Sequence, residues 1–141
     1  MEKIRKSFSK SWGKSSQPRK QRKYRYNAPL HLRRKMLSAH LDKKLREDLG
    51  RRSATVIKGD EVAIMRGEFR KKGGKVSKVD MKSLKIYVEN IKTKKVSGQE
   101  VQVPIDPSNV KITKLNLDDK LRKESLMKGH QEKNESTNNK R

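Results

Sequence analysis

The chain has 141 residues, 39 of them Lys or Arg against 16 Asp or Glu, for a formal net charge of +23 at pH 7. With 30% hydrophobic and 39% charged residues, it cannot build a core that fills its whole length. The longest apolar run, Val62-Ala63-Ile64-Met65, is far too short for a membrane span, and Met1–Lys10 breaks its charges only with single Ile4 and Phe8, unlike a signal peptide. A soluble intracellular protein with a polyanionic partner is expected, nucleic acid first.

Residues 1–52 carry 18 basic and 4 acidic side chains, the most lopsided balance in the chain. Residues 1–27 read as a basic arm: Lys14–Tyr26 contains Pro18, Arg19, Lys20, Arg22, Lys23 and Arg25 with no apolar periodicity. Such a segment has nothing to bury against its ordering entropy and is expected to be disordered alone in water. Trp12 within the arm reads either as a stacking platform for a base or a bound neighbour, or as disordered. Residues 28–52 read as short helices. Pro29 suits a first helical turn, followed by Leu30, Leu32 (or Arg33), Met36 and Leu37 at helical spacing. A second helix runs from Asp42, as its N-cap, through Leu45 and Leu49 to a stop at Gly50. Basic side chains, among them Arg33, Arg34 and Lys35, oppose the leucines, and Arg51-Arg52 follow the stop.

Residues 53–115 hold 15 of the 16 Val and Ile residues, which favour half-buried pleated surfaces. Alternation at Val62/Ile64, Val76/Val79, Ile86/Val88, Val101/Val103/Ile105 and Val110/Ile112 marks five short strands, and with turn residues between them these suggest a small antiparallel barrel. Gly59-Asp60 would turn into the first strand. Ser97-Gly98 would tip a hairpin whose arms carry Lys92, Lys94 and Lys95. Pro104 and Pro107 suit an edge strand and the bend after it. So small a domain is marginal alone, and stabilisation by a ligand is expected. Residues 116–141 begin with an amphipathic fragment (Leu117, Leu121, Leu126) and fade into a polar tail, Gln131–Arg141.

Most chemistry is excluded. There is no cysteine, hence no disulfide, thiolate site or cysteine nucleophile. His31, His40 and His130 lack the spacing that sets two ligands on one helix face, so no metal site and no cofactor is expected. The neighbours Asp60-Glu61 and Asp118-Asp119 point apart and cannot flank one substrate bond. Gly67 with Gly73-Gly74 lacks the Gly-Lys-Ser/Thr ending of a nucleotide-cradling loop. The chain does not read as an enzyme.

The loop between the first two strands is the strongest signal. It must expose Arg66, Arg70, Lys71, Lys72 and Lys75, while its glycines let the backbone turn and let phosphate come close. Phe69 has two readings, a stacking surface for a base or ribose, or a plug for the open end of the barrel.

Residues 59–76, Gly-Asp-Glu-Val-Ala-Ile-Met-Arg-Gly-Glu-Phe-Arg-Lys-Lys-Gly-Gly-Lys-Val, resemble the KOW motif. The flanking stretches Gln17–Lys23, Tyr26–Arg33, Lys43–Glu47, Tyr87–Glu89 and Pro107–Val110 resemble the universal KOW protein of the large ribosomal subunit, protein twenty-four of the bacterial count, in its archaeal/eukaryotic form. The resemblance covers about residues 17–116. It implies a mainly β fold, an SH3-like barrel with a basic N-terminal arm. It also implies direct binding to the 5′ region of large-subunit rRNA, an early role in subunit assembly, and a place among neighbouring ribosomal proteins, as a monomer outside the peptide exit tunnel. The rRNA-binding residues expected are the arm, helix and loop cations named above together with Phe69, Lys94 and Lys95.

Three positions depart from the family pattern. Lys71 stands where a glycine usually follows the basic residue, so the turn is expected to shift toward Gly73-Gly74. Asp106 replaces a histidine, and His40 replaces a proline. Two rivals predict other features: a KOW protein of the transcription apparatus would carry a companion domain and no such arm, and a nonspecific nucleic-acid compactor would repeat its basic motifs.

Overall fold

In chain order, residues 8–127, which the computed structural model describes, form a 3₁₀ turn (Lys10–Lys14), α1 (Pro18–Asn27), α2 (Leu30–Met36), β1 (Ser38–Leu41), α3 (Lys43–Leu49) and β2 (Ser53–Thr55). There follow β3 (Glu61–Ile64), β4 (Gly73–Asp80), β5 (Lys85–Val88), β6 (Lys92–Lys94), β7 (Glu100–Gln102), a second 3₁₀ turn (Pro107–Asn109), β8 (Val110–Lys114) and a helix, α4, at residues 120–127. The tail expected at Gln131–Arg141 lies outside the described residues.

The β-branched pattern forms strands where the alternation places them. Val62 and Ile64 in β3, Ile86 and Val88 in β5, and Val110 and Ile112 in β8 all point into the core while their neighbours face outward. Gly73 is required for the closeness of β3 and β4, because a Cβ there would lie 2.5 Å from the Val62 carbonyl oxygen. The expected hairpin is present: β6 pairs with β7, Lys92 opposite Gln102 and Lys94 opposite Glu100. The strand expected through Val101, Val103 and Ile105 is cut short. β7 ends at Gln102, and after Pro104, which has no N–H to donate, Ile105 makes a single antiparallel bridge to Ile86.

The sheet is not the closed antiparallel barrel that the alternation suggested. Its six strands run in the order β2-β1-β8-β3-β4-β5, and no ladder joins the two edges. β1 and β8 are parallel, and the other pairs antiparallel. With four helices around it, the fold is mixed α/β rather than mainly β. A register shift between Val76 and Lys78 bends β4, a usual effect of a bulge, and it falls where β4 passes from pairing with β3 to pairing with β5.

α3 ends as predicted at Gly50, whose φ of 58° is the left-handed stop. Asp42 occupies the N-cap position, but its side chain makes no capping bond. Its Oδ1 instead accepts from Lys111 Nζ at 2.7 Å, and that bond holds the carboxyl below its ordinary pKa. α1 departs from the disordered arm expected of these residues. Pro18 sits at the helix start, and Arg, Lys and Gln are good helix formers that need no apolar stripe. Gln21 Nε2 donates to the carbonyls of Gly13 (3.0 Å) and Ser15 (2.6 Å), and Tyr24 packs on Phe8 at 5.4 Å between ring centres. These contacts fold the preceding turn onto the helix.

The core centres on Val62, Val76, Ile86, Val88, Ile91, Val110 and Ile112, but Leu37, Ala39 and Leu41 join it from the N-terminal side and Leu126 from α4. One charged group lies among them. Asp60 is fully buried and has four donors on its carboxylate: Ile57 N–H (2.9 Å), Asn116 N–H (2.8 Å) and the two Arg122 guanidinium nitrogens at 2.7 and 2.8 Å. Arg122 also donates to the carbonyls of Asn116 and Thr55. One side chain of α4 thus fixes the turn before β3, the chain after β8 and the end of β2. Arg122→Met leaves the carboxylate buried with only two backbone donors, and it is expected to cost about 3–5 kcal/mol in urea unfolding. A loss below about 1 kcal/mol would show that α4 is only loosely attached.

Candidate nucleic-acid interface

The loop of residues 65–72 leaves β3 and returns to β4 as a closed, hydrogen-bonded turn. Ile64 N–H donates to the Lys72 carbonyl (2.8 Å) and Lys71 N–H to the Ile64 carbonyl (3.1 Å). Arg70 and Lys72 N–H donate to the carbonyls of Gly67 and Phe69 inside the loop. Its base is held by the Pro107–Asn109 turn, whose Asn109 carbonyl accepts from Met65 N–H at 2.8 Å. On this rigid support Arg66, Arg70, Lys71 and Lys72 are exposed, and Lys75 is exposed at the start of β4.

The expected shift of the turn toward Gly73-Gly74 does not occur. Lys71 itself adopts the left-handed conformation, with φ 71°, while both glycines lie in β4. The hydrogen bonds of Ile64 to Lys71 and Lys72 fix where the chain must reverse, so lysine takes a conformation that suits glycine. Phe69 is half-buried and packs against the core, with Lys72 Nζ 5.5 Å from its ring centre. Of its two readings, the plug matches this position.

The other expected residues fall into distinct settings. On α1, Arg19, Lys20, Arg22, Lys23 and Arg25 are exposed, and Lys23 Nζ lies 4.4 Å above the Trp12 ring. Arg33 is engaged within the chain, donating to the carbonyls of Tyr26, Ala28 and Lys82, which ties α2 to the α1 end and to the β4–β5 turn. Arg34, Lys35 and Arg52 are exposed and Arg51 half-buried, while Lys94 and Lys95 stand on the projecting β6–β7 hairpin.

Several carboxylates are taken up by other cations. Asp42 pairs with Lys111, Asp60 with Arg122, Glu61 with Lys114, Glu100 with Lys92 and Asp106 with Lys85. Asp80 closes the β4–β5 turn by accepting from Ser83 Oγ and from the N–H groups of Lys82 and Ser83, which hold its carboxyl below the ordinary value. Among the described residues, Arg66, Arg70, Lys71, Lys75 and the α1 arginines have no acidic partner. The sequence reading missed Asp60 and Arg122. The available signal was the Asp after Gly59 at the turn into β3 and one arginine among the leucines of the C-terminal fragment.

A basic loop held between two strands, with Glu68 its one acid, and a basic helix before it with none form a strongly cationic surface. The whole-chain comparison is specific. Residues 15–128 match the family described as the ribosomal proteins L26 of eukaryotes and their archaeal L24 counterparts, and the chain belongs to that family. The match reaches past residue 116 to take in α4. Among the relatives, the large ribosomal subunit protein uL24 of Methanoculleus marisnigri is 53% identical over 112 residues, 79% of this chain and 93% of the relative. That of Methanosarcina barkeri is 51% identical over 114 residues, 81% of this chain and 98% of the relative.

Lys71→Gly tests the conformation of the loop directly. Relief of the left-handed strain is expected to stabilise the protein by about 0.5–1 kcal/mol in urea unfolding. An unchanged or lower midpoint would mean that lysine is unstrained at this position.

Proposed function

We propose that this chain is a structural constituent of the large ribosomal subunit that binds the 5′ region of large-subunit rRNA directly, helps initiate subunit assembly and lies near the outside of the peptide exit tunnel. Membership of this family of eukaryotic and archaeal ribosomal proteins supports the ribosomal role and its place in cytoplasmic ribosomes. The observation that carries the RNA reading is the separation of charge: several carboxylates are paired with cations elsewhere, and the loop and α1 arginines face outward with no acidic partner among the described residues. Lys and Arg neutralise phosphates and release counterions, while the rigid turn fixes where those cations stand. The role is structural, and it calls for no cofactor.

The rRNA-binding set remains that of the sequence, with Arg33 assigned to holding α2 and Phe69 to supporting the loop. Neighbouring large-subunit proteins complete the surroundings of a monomer. The antiparallel bridge from Ile86 of β5 to Ile105, followed by a 3₁₀ turn and β8, supports reading the sheet as an open SH3-like barrel. Residues 1–27, 28–52, 53–115 and 116–141 then serve as arm, helical segment, barrel and C-terminal extension.

Neutralising Arg19, Lys20, Arg22 and Lys23 is expected to weaken binding to the 5′ rRNA fragment and to unrelated RNA about equally, because phosphate contacts position without reading sequence. The salt dependence should flatten, by roughly 0.7–0.9 in slope per phosphate contact removed. Neutralising Arg66, Arg70, Lys71 and Lys72 is expected to hurt the cognate fragment more, since a preorganised loop matches one RNA shape. Binding titrations at several salt concentrations measure both. Equal loss of discrimination from the two variants would show that charge alone sets specificity.

A further inference from the structure

The helix α1 lies beside the sheet with little to keep it there. It buries no side chain, and among the described residues no ion pair joins it to the sheet. A groove of about 490 Å³ separates it from the β4–β5 turn, with cations on both walls: Arg22 and Arg25 on the helix, Lys82 and Lys85 on the turn side. The carboxylate on the lining, Asp106, pairs with Lys85, which leaves Arg22, Arg25 and Lys82 without an acidic partner among the described residues. Like charges facing one another across a groove push the helix away from the sheet, with a screening length of ~10 Å at 0.1 M ionic strength.

One side chain opposes that push. Each of the three guanidinium nitrogens of Arg33 finds a different carbonyl: Nε donates to Ala28 at 2.9 Å, Nη2 to Tyr26 at 2.5 Å and Nη1 to Lys82 at 3.2 Å. Tyr26 lies in the last turn of α1, where carbonyls have no partner inside the helix and a cation is favoured. Lys82 lies in the β4–β5 turn, whose shape is fixed from two sides. Asp80 accepts from the N–H groups of Lys82 and Ser83 and from Ser83 Oγ, while Leu84 packs against the core in the left-handed region at φ 58°. The Lys82 carbonyl is therefore a fixed acceptor, and the rigid planar fork of arginine bridges it to the end of α1. At the other end of the helix, Gln21 and Tyr24 hold the 3₁₀ turn against α1 by contacts that do not involve the sheet. We propose that Arg33 is a positioning residue, a strut that holds α1 in one orientation against the β4–β5 turn. That orientation is a property of the free protein and does not rest on the RNA reading above.

The chain has no cysteine, so nitroxide labels go only where cysteine is introduced. In the full chain, Lys20→Cys with Lys78→Cys labels α1 and β4, and Lys78→Cys with Lys114→Cys labels two strands of the sheet. Double electron–electron resonance gives each distance distribution, and Trp12, the single tryptophan, reports by its emission whether the 3₁₀ turn stays on α1. With Arg33 in place, the α1–β4 distribution is expected to be narrow and the same at low and high salt. Arg33→Gln is expected to broaden it and move it to longer distances at low salt, with a partial return at high salt as repulsion is screened. The pair within the sheet and the Trp12 emission should not change. A broad α1–β4 distribution with Arg33 in place, or a narrow one in Arg33→Gln, overturns the proposal. A changed Trp12 emission in Arg33→Gln would show that Arg33 merely keeps α1 folded, and overturns it too. If Arg33→Gln disturbs the pair within the sheet, Asp80→Ala decides, because it frees the turn and leaves Arg33 in place. Broadening of the α1–β4 distribution there supports the strut, and an unchanged width overturns it.

Discussion

A carboxylate with no access to water organises this protein. Asp60 loses its hydration entirely, and the two guanidinium bonds and two backbone bonds it receives are what make that tolerable. Such a pair is a poor source of net stability, since desolvation offsets most of the attraction. Its effect is on geometry. With both Arg122 guanidinium nitrogens on Asp60 and one also on the Thr55 carbonyl, the pair fixes where α4 sits against β2 and the entry to β3. The family match continues to residue 128, consistent with α4 belonging to the same unit as the sheet.

The same arrangement explains how a chain of net charge +23 folds at all. Repulsion among like charges opposes compaction. The chain meets it by burying its apolar residues in a narrow sheet and pairing several of its acids with cations that help hold the fold, Lys111 on β8 and Lys85 on β5 among them. Most of the remaining cations are left on exposed surfaces. Binding a polyanion would relieve that repulsion, so stability would be linked to any such binding through one electrostatic term.

Much of this was legible in the sequence. Val and Ile alternation located β3, β5 and β8, Gly50 located the end of α3, and the charged run after Ile64 located an exposed basic turn. β1 and β2 escaped because Ser38-Ala39-His40-Leu41 and Ser53-Ala54-Thr55 are short and lack Val and Ile. They become strands because β8 and each other offer open edges, which is tertiary information. The parallel β1–β8 pair, which no local turn encodes, is why the sheet is mixed rather than antiparallel. α1 escaped because it has no apolar stripe and folds against a turn built from Phe8 and Trp12. The Asp60–Arg122 pair joins residues far apart in the chain, and no local pattern announces a partner at that distance.

Hydrogen exchange on the free, full-length protein tests the central claim most directly. The N–H groups of Ile57 and Asn116 both donate to the Asp60 carboxylate, whereas that of Ile64 donates to the Lys72 carbonyl and that of Ile86 to the Ile105 carbonyl. If the buried carboxylate ties α4 and the sheet into one cooperative unit, all four amides should exchange with the same free energy and the same denaturant dependence, that of global unfolding. Exchange of Ile57 and Asn116 through a small, denaturant-independent opening, while Ile64 and Ile86 stay protected, would contradict the account.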